Sequence, residues 1–415
     1  MLPTTVTKDV GATTPLRQNR DFQLLLTGSS VSMLGSRVST IAYPLLVLAL
    51  AGSPVVAGWA TFAATAPSIL VYLPAGALVD RWDPRGAMVF SEFGRGAAIT
   101  TVVVMLATGH ASVPLLVAVA VIDGILQVFS VLAERRFVRF LVEPDEAASA
   151  LARTEARTHI VVLAGRPLGG LLFGLGRALP FLADMLSFAV SVFTLLRISK
   201  MRQAGRPERA SYRHLGREIR QGLRGLHCNP FARMALPLAA GTTLIGQALI
   251  MVFLAEAHAR HLAPVAVGIV LAASGAGGAL GSAAASRLFS CFGYSLLKIQ
   301  MYTWAGAFAF LALWGGRSFL GVAVAIAITG FAGALGNIAL NTYLVRETAE
   351  TMLARVMSVG SLMSFGGLAL GPLLGGVFTG RYGAQAAMVM LFILTAFLAA
   401  AAAVAPSTRN PSGLI

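Results

Sequence analysis

The sequence predicts an all-α membrane protein whose twelve transmembrane helices form two six-helix bundles. Three observations predict it: apolar runs of bilayer length, cations gathered on one side of those runs, and a repeat between the halves. Of the 415 residues, 56% are hydrophobic and only 12% charged, whereas a soluble globular domain carries roughly 25% charge. Apolar runs of this length are long enough to cross a hydrocarbon core of ~30 Å. In lipid every backbone group must be satisfied within its own segment, so the runs read as helices. The 44 glycines fit, because glycine lets membrane helices approach closely.

In chain order the spans are read at about 22–50, 54–79, 86–108, 113–139, 147–175, 178–197, 231–257, 264–289, 296–315, 318–345, 352–379 and 383–405. Residues 1–20 are polar, and the first apolar run is too long for a signal-peptide core, so it is expected to be retained as helix 1. The domain reading is a cytoplasmic tail at 1–21, a six-helix bundle at 22–197, a basic linker at 198–230, a second bundle at 231–405 and a second cytoplasmic tail at 406–415. The linker holds Lys200, Arg202, Arg206, Arg209, Arg213, Arg217, Arg220 and Arg224. It reads as solvated, although the part beyond Ser211 also fits a short surface helix.

A net charge of +15 in a soluble chain would suggest nucleic acid. Here the cations sit in short loops between apolar spans, where they set topology. With the N-terminus inside, the outer side keeps only Arg177, Arg260, Arg317 and Arg381. Arg37, Arg95 and Arg166 fall within spans, and every other Lys and Arg lies on the cytoplasmic side. Both termini are therefore expected in the cytoplasm. Cys228 and Cys291 form neither a disulfide framework nor a zinc site. The absence of a P-loop, H-E-x-x-H or G-x-S-x-G motif argues against an enzyme and against a self-contained ATP-driven pump.

The halves echo each other. GRPLGGLLFG at 165–174 recurs as GPLLGGVFTG at 371–380, an offset of 206 residues, and at that offset Arg81 falls on Arg287. Six helices repeated and joined by a basic linker make an architecture whose site lies between two bundles.

Two motifs carry a resemblance. The helix 2–3 turn runs from Gly76 through Asp80 and Arg81 to Arg85 in the order G-x-L-x-D-R-x-x-x-R. Gly76 would permit close helix contact there, and Arg81 and Arg85 would anchor the turn at the inner surface. This turn resembles the helix 2–3 motif of the major facilitator superfamily, and the resemblance implies a gating role for Asp80, Arg81 and Arg85. Gly371, Pro372, Gly375 and Gly376 match G-P-x-x-G-G, similar to the antiporter-associated motif of that superfamily. Helix 5 carries a variant with Gly165, Pro167, Gly169 and Gly170, in which Arg166 displaces the proline by one. Physically these are kinked, closely packed helices at a gate. The segments 34–54, 74–88, 150–157 and 179–191 together resemble the drug-exporting branch that includes macrolide efflux and enterobactin export proteins.

The resemblance implies that helices 1, 4, 7 and 10 line a central cavity. Ionisable side chains at membrane depth cost about 2.5–3.5 kcal/mol each on the lenient insertion scale, so those in spans are candidate functional groups. Asp123, Gln127, Ser130 and Glu134 share one face of helix 4, and Ser30, Met33, Arg37, Thr40 and Pro44 share one face of helix 1. Helix 7 offers Gln247, and helix 10 offers Asn337 and Asn341. Arg37 and Asp123 are expected to face each other across the cavity, as a proton-sensitive pair or as a permanent structural one. Arg166 needs an anion or a carbonyl, and an acidic substrate group is one candidate. Glu92 and Arg95 are expected to pair locally, Asp184 to meet the start of helix 6, and His159 to be a packing residue.

The expected function is proton-driven efflux of a small hydrophobic or amphipathic compound, such as an antibiotic, drug or siderophore. A facilitator or importer of the same fold and a non-transporting receptor or scaffold are the alternatives. The expected partners are the lipid bilayer, the substrate and protons, with no nucleic acid and no cofactor, the protein acting as a monomer in a bacterial inner membrane.

Overall fold

The computed structural model describes residues 19–79, 81–142, 146–198, 230–314, 319–347 and 350–404. Most of the expected linker and both expected tails lie outside the described residues. The helices are α1 (Arg20–Ala51), α2 (Pro54–Val79), α3 (Pro84–Ala107), α4 (Val113–Leu141), α5 (Ala147–Leu175) and α6 (Leu179–Arg197). The second half has α7 (Pro230–Ala259), α8 (Pro264–Phe292), α9 (Leu296–Trp314), α10 (Phe319–Glu347) and a long stretch, Glu350–Val404, broken at Gly383. Gly383 has φ 80°, a left-handed conformation open to glycine, and it divides the stretch into α11 (350–382) and α12 (384–404). Among the described residues nine stretches are long and apolar enough to span a bilayer, and two of them, Pro264–Leu313 and Val359–Val404, each run over a break between two helices. Leu163–Leu175 of α5 is a shorter apolar stretch. The all-α reading with twelve spans therefore stands.

Local chemistry sets the ends. The Asn19 side chain accepts from the Phe22 amide at 3.0 Å and caps α1, which stops where Gly52 turns left-handed at φ 62°. Asp83 caps α3 by accepting from the Gly86 amide at 2.8 Å, with Pro84 in the first helical position.

In the first bundle α1 packs against α5 and α6, and α3 against α4 and α6. In the second, α7 packs against the α11–α12 stretch, and α10 against α8 and α9. The bundles meet where α2 touches α11 and α5 touches α8. The core shows how far that meeting extends. At the end of the molecule holding the α1–α2 turn, one apolar cluster runs through both bundles, joining Leu46, Phe173 and Phe181 to Val252, Val267 and Leu311. At the opposite end the core divides. Leu25, Met88, Phe137 and Leu195 form one cluster, and Leu236, Met301, Leu340 and Leu344 another. The bundles are thus fused at one end and separate at the other.

Large apolar side chains stay exposed on the outer helices: Phe93 on α3, Phe193 on α6, Leu313 on α9 and Phe397 on α12. Such a belt is an aggregation liability in water and the ordinary surface of a protein in lipid.

Candidate functional site

The first bundle buries a polar network. Ser32, Ser36 and Ser39 recur along one face of α1 at helical spacing, and all three are buried. Each meets an ionisable side chain or its partner. Ser32 donates to Glu92 at 2.6 Å, Ser36 accepts from the Arg95 guanidinium at 2.9 Å, and Ser39 donates to Asp184 at 2.5 Å. Ser130 of α4 donates to the other oxygen of Glu92 at 2.6 Å. Arg95 Nε donates to Asp123 at 2.8 Å, and the guanidinium lies 4.5 Å from the Phe188 ring centre. The Asp123 side chain keeps 17% of its surface exposed, against 4% for Arg95. Asp123 therefore stands on the accessible side of a buried ion pair. A second pair, Glu134 and Arg157 at 2.8 Å, lies nearer the separated end, where Arg157 also bonds Ser29.

This corrects the expected Arg37–Asp123 pair. Successive residues on a helix point about 100° apart. With Ser36 turned toward Arg95, Arg37 turns toward α5, where its Cβ sits against Gly165. Arg37 makes no ion pair or hydrogen bond among the described residues, and it is exposed. Glu92 and Arg95 do approach each other, at 3.8 Å, but the shorter partner of Arg95 is Asp123.

The second bundle supplies uncharged walls that are mostly apolar, with a few hydroxyl and amide groups among them. A cavity of about 300 Å³ lies between α7, α10 and α11, lined by Thr243, Asn341, Ser361, Ser364 and Phe365 among others. Phe365 also touches Tyr72 of α2, with ring centres 5.6 Å apart, so this wall faces the first bundle. An adjoining cavity of about 220 Å³ is lined by Thr242, Gln300, Trp304 and Asn337. Gln127 and Asn337 are exposed and Gln247 is half-buried; of the three, Asn337 lines one of these cavities. The side chains of Arg166 and His159, and the whole of Asp80, lie outside the described residues.

The motif glycines do two jobs. Within bundles, Gly165 and Gly169 let α5 close on Arg37 and Val38 of α1, and Gly371 and Gly375 let α11 close on Gln247 and Ala248 of α7. Between bundles, a Cβ on Gly170 would come within 2.6 Å of Gly268 of α8, and one on Gly376 within 2.9 Å of Gly58 of α2. Gly170 and Gly376 are equivalent under the 206-residue offset. The fused end is therefore sealed by two related backbone-to-backbone crossings. Pro167 and Pro372 lie inside α5 and α11.

The α2–α3 turn belongs to the separated end. Gly76 is a correction: a Cβ there would meet nothing within 4 Å, because the bundles have parted at this level. Arg85 binds the Leu195 and Leu196 carbonyls at the end of α6, both at 2.8 Å, where cations meet a helix's negative pole. Arg136 of α4 holds the Val79 and Trp82 carbonyls. Arg81 closes the turn through its amide on the Leu78 carbonyl at 3.0 Å. Sequence reasoning missed Arg136 and Arg157. The signal was available for Arg157, since it and Glu134 are opposite charges near the same end of neighbouring helices.

Two pseudo-equivalent helix bundles, with apolar outer faces and cavities in the second bundle beside the first, define a multi-pass membrane transporter of the major facilitator fold, not an enzyme. The chain belongs to the family described as transmembrane secretion effector, whose model matches residues 10–412. It is 26% identical over 397 residues to an uncharacterized MFS-type transporter, y4rN, of Sinorhizobium fredii (strain NBRC 101917 / NGR234), covering 94% of this chain and 95% of that one. Among solved structures it is similar to the nucleoside transporter NupG, with TM-score 0.73 and 14% identity over 92% of this chain and 98% of the other. A bacterial homologue of the iron transporter ferroportin gives TM-score 0.70 at 14% identity, covering 93% and 99%. At such identities the likeness is one of fold.

Proposed function

We propose that this transporter exports a small hydrophobic or amphipathic compound in exchange for protons, by alternating access. The observation that carries the coupling is the placement of Asp123. It is the more accessible partner of a buried Arg95, and so it is the member of the pair that a proton would reach while its counter-ion stays fixed. A proton on Asp123 neutralises the carboxylate, leaves the guanidinium one anion short, and so links protonation to how α3 and α4 hold α1. The same cavity is where a substrate would sit.

Direction rests on the loop charges. They favour a cytoplasmic separated end, and a cavity open there is where an exporter would load its substrate. The glycine crossings at the fused end support an antiporter, since they keep the outer end shut while the inner end is open. The drug-exporting branch, the inner membrane, the monomeric state and the cytoplasmic termini belong to the same proposal. So do the gating role of Asp80, Arg81 and Arg85 and the cavity roles of Arg37, Gln127, Glu134, Arg166, Gln247, Asn337 and Asn341.

Everted membrane vesicles from a pump-deficient host test this. A panel of fluorescent amphiphiles should accumulate in vesicles carrying the protein when a pH gradient, acid inside, is imposed, and a protonophore should release them. Accumulation that ignores the protonophore, or mere equilibration, would favour a facilitator instead.

A further inference from the structure

We infer that the compound carried by this cavity bears an anionic group, received by Arg37, on an otherwise uncharged amphipathic body. This rests on the reading of the cavity as the transport site.

Arg37 lies 17 residues into α1 and 14 before its end, so at about 1.5 Å per residue it is about 20 Å or more from either surface. A bare guanidinium at that depth is unfavourable on a lipid-facing side. Helix α1 is contacted by α2, α4, α5, α6 and α7, so the side on which Arg37 is exposed is assigned to the space between the bundles rather than to lipid. Arg37 is exposed between buried Ser36 and Val38, and its Cβ rests on Gly165.

The carboxylates around it are occupied. Asp123 holds Arg95, Glu134 holds Arg157, Glu92 is bonded by Ser32 and Ser130, and Asp184 by Ser39 and Ser187. No described carboxylate lies within 4.0 Å of Arg37, so the cavity keeps an uncompensated cation. The two-fold relation of the halves makes the contrast plain. Gly165 closes on Arg37 and its repeat partner Gly371 closes on Gln247, so Arg37 and Gln247 occupy equivalent places on opposite walls. One is charged and the other neutral, as are Thr243, Asn341, Ser361 and Ser364 beyond it. A ligand matching both walls puts an anion on α1 and an uncharged body, largely apolar with a few hydrogen-bonding groups, on α7, α10 and α11.

The test uses the full-length protein in phosphatidylcholine nanodiscs, with empty discs subtracted. Two fluorescent probes of similar shape are titrated: the anion 8-anilinonaphthalene-1-sulfonate and the uncharged N-phenyl-1-naphthylamine. The anion should bind saturably and more tightly than the neutral probe. Arg37→Gln should weaken the anion about tenfold or more, the loss of one charge-assisted contact, and leave the neutral probe unchanged. Arg37→Lys should restore much of the difference. Equal binding of the anion to wild type and Arg37→Gln, or no saturable anion binding, overturns the inference. So does displacement of the anion by phosphatidylglycerol added to the discs, which would assign Arg37 to a lipid phosphate. The readout needs no flux. Charge-selective binding without proton-driven accumulation leaves this inference standing while the export reading fails; the reverse result removes only this inference.

Discussion

At the scale of single residues, helix phase decides the chemistry. Arg37 and Ser36 are neighbours in sequence but point about 100° apart, so one is exposed beside Gly165 and the other joins a buried network. The residue types were legible: Glu92, Arg95, Asp123, Glu134 and Asp184, which the sequence singled out, all make hydrogen bonds or ion pairs within the first bundle. Their partners were not. Arg95 and Asp123 are joined only by the packing of α3 on α4, and no spacing along one helix encodes that. Arg95→Leu leaves Asp123 half-covered without its counter-ion, and losing one partner of a buried pair costs about 3–5 kcal/mol. The expected outcome is a markedly lower Tm in nanodiscs, partly recovered in the double variant Arg95→Leu, Asp123→Leu. An unchanged Tm in the single variant would show the pair to be dispensable. Ser36→Ala removes one hydrogen bond to the same guanidinium and should cost nearer ~1–3 kcal/mol.

At the scale of elements, glycines and arginines place the helices relative to one another. The motif glycines were legible as sites of close packing, but the sequence did not say which face each serves. Gly165, Gly169, Gly371 and Gly375 close helices within a bundle, whereas Gly170 and Gly376 close the bundles on each other. Gly376→Leu should therefore force α11 off Gly58 and open the fused end. A cysteine replacing Val55, beside Gly380 at that end, should then react several-fold faster with an impermeant maleimide; an unchanged rate would mean this crossing does not hold the end shut. Gly76 was read as a contact and lies open, because its end of α2 has no partner when the bundles have parted. Arg85→Ala frees the last carbonyls of α6. A modest loss, about 1 kcal/mol, is expected in chemical denaturation, given the exposure of that turn.

At the scale of the whole molecule, the 206-residue echo is the signal that carried furthest. It divided the chain into two halves of six helices, and the motif glycines occupy matching places in both. The open end could not be read from it. Which end of a two-fold arrangement is fused depends on how the bundles tilt, and both tilts bury equivalent surfaces. The chemistry breaks the symmetry: among the described residues the buried ion pairs lie in the first bundle, and the second holds pockets with uncharged linings. Under the proposed function, a proton site in one bundle and a substrate wall in the other would make coupling a matter of how the two move together.

Asp123→Asn tests that claim most directly, measured in proteoliposomes against a transported amphiphile in two modes. Substrate exchange across a membrane without a gradient needs only alternating access, whereas uphill accumulation driven by a pH gradient needs the proton. The account predicts that the variant keeps exchange at a rate near wild type and loses accumulation. Retained accumulation in Asp123→Asn would contradict it.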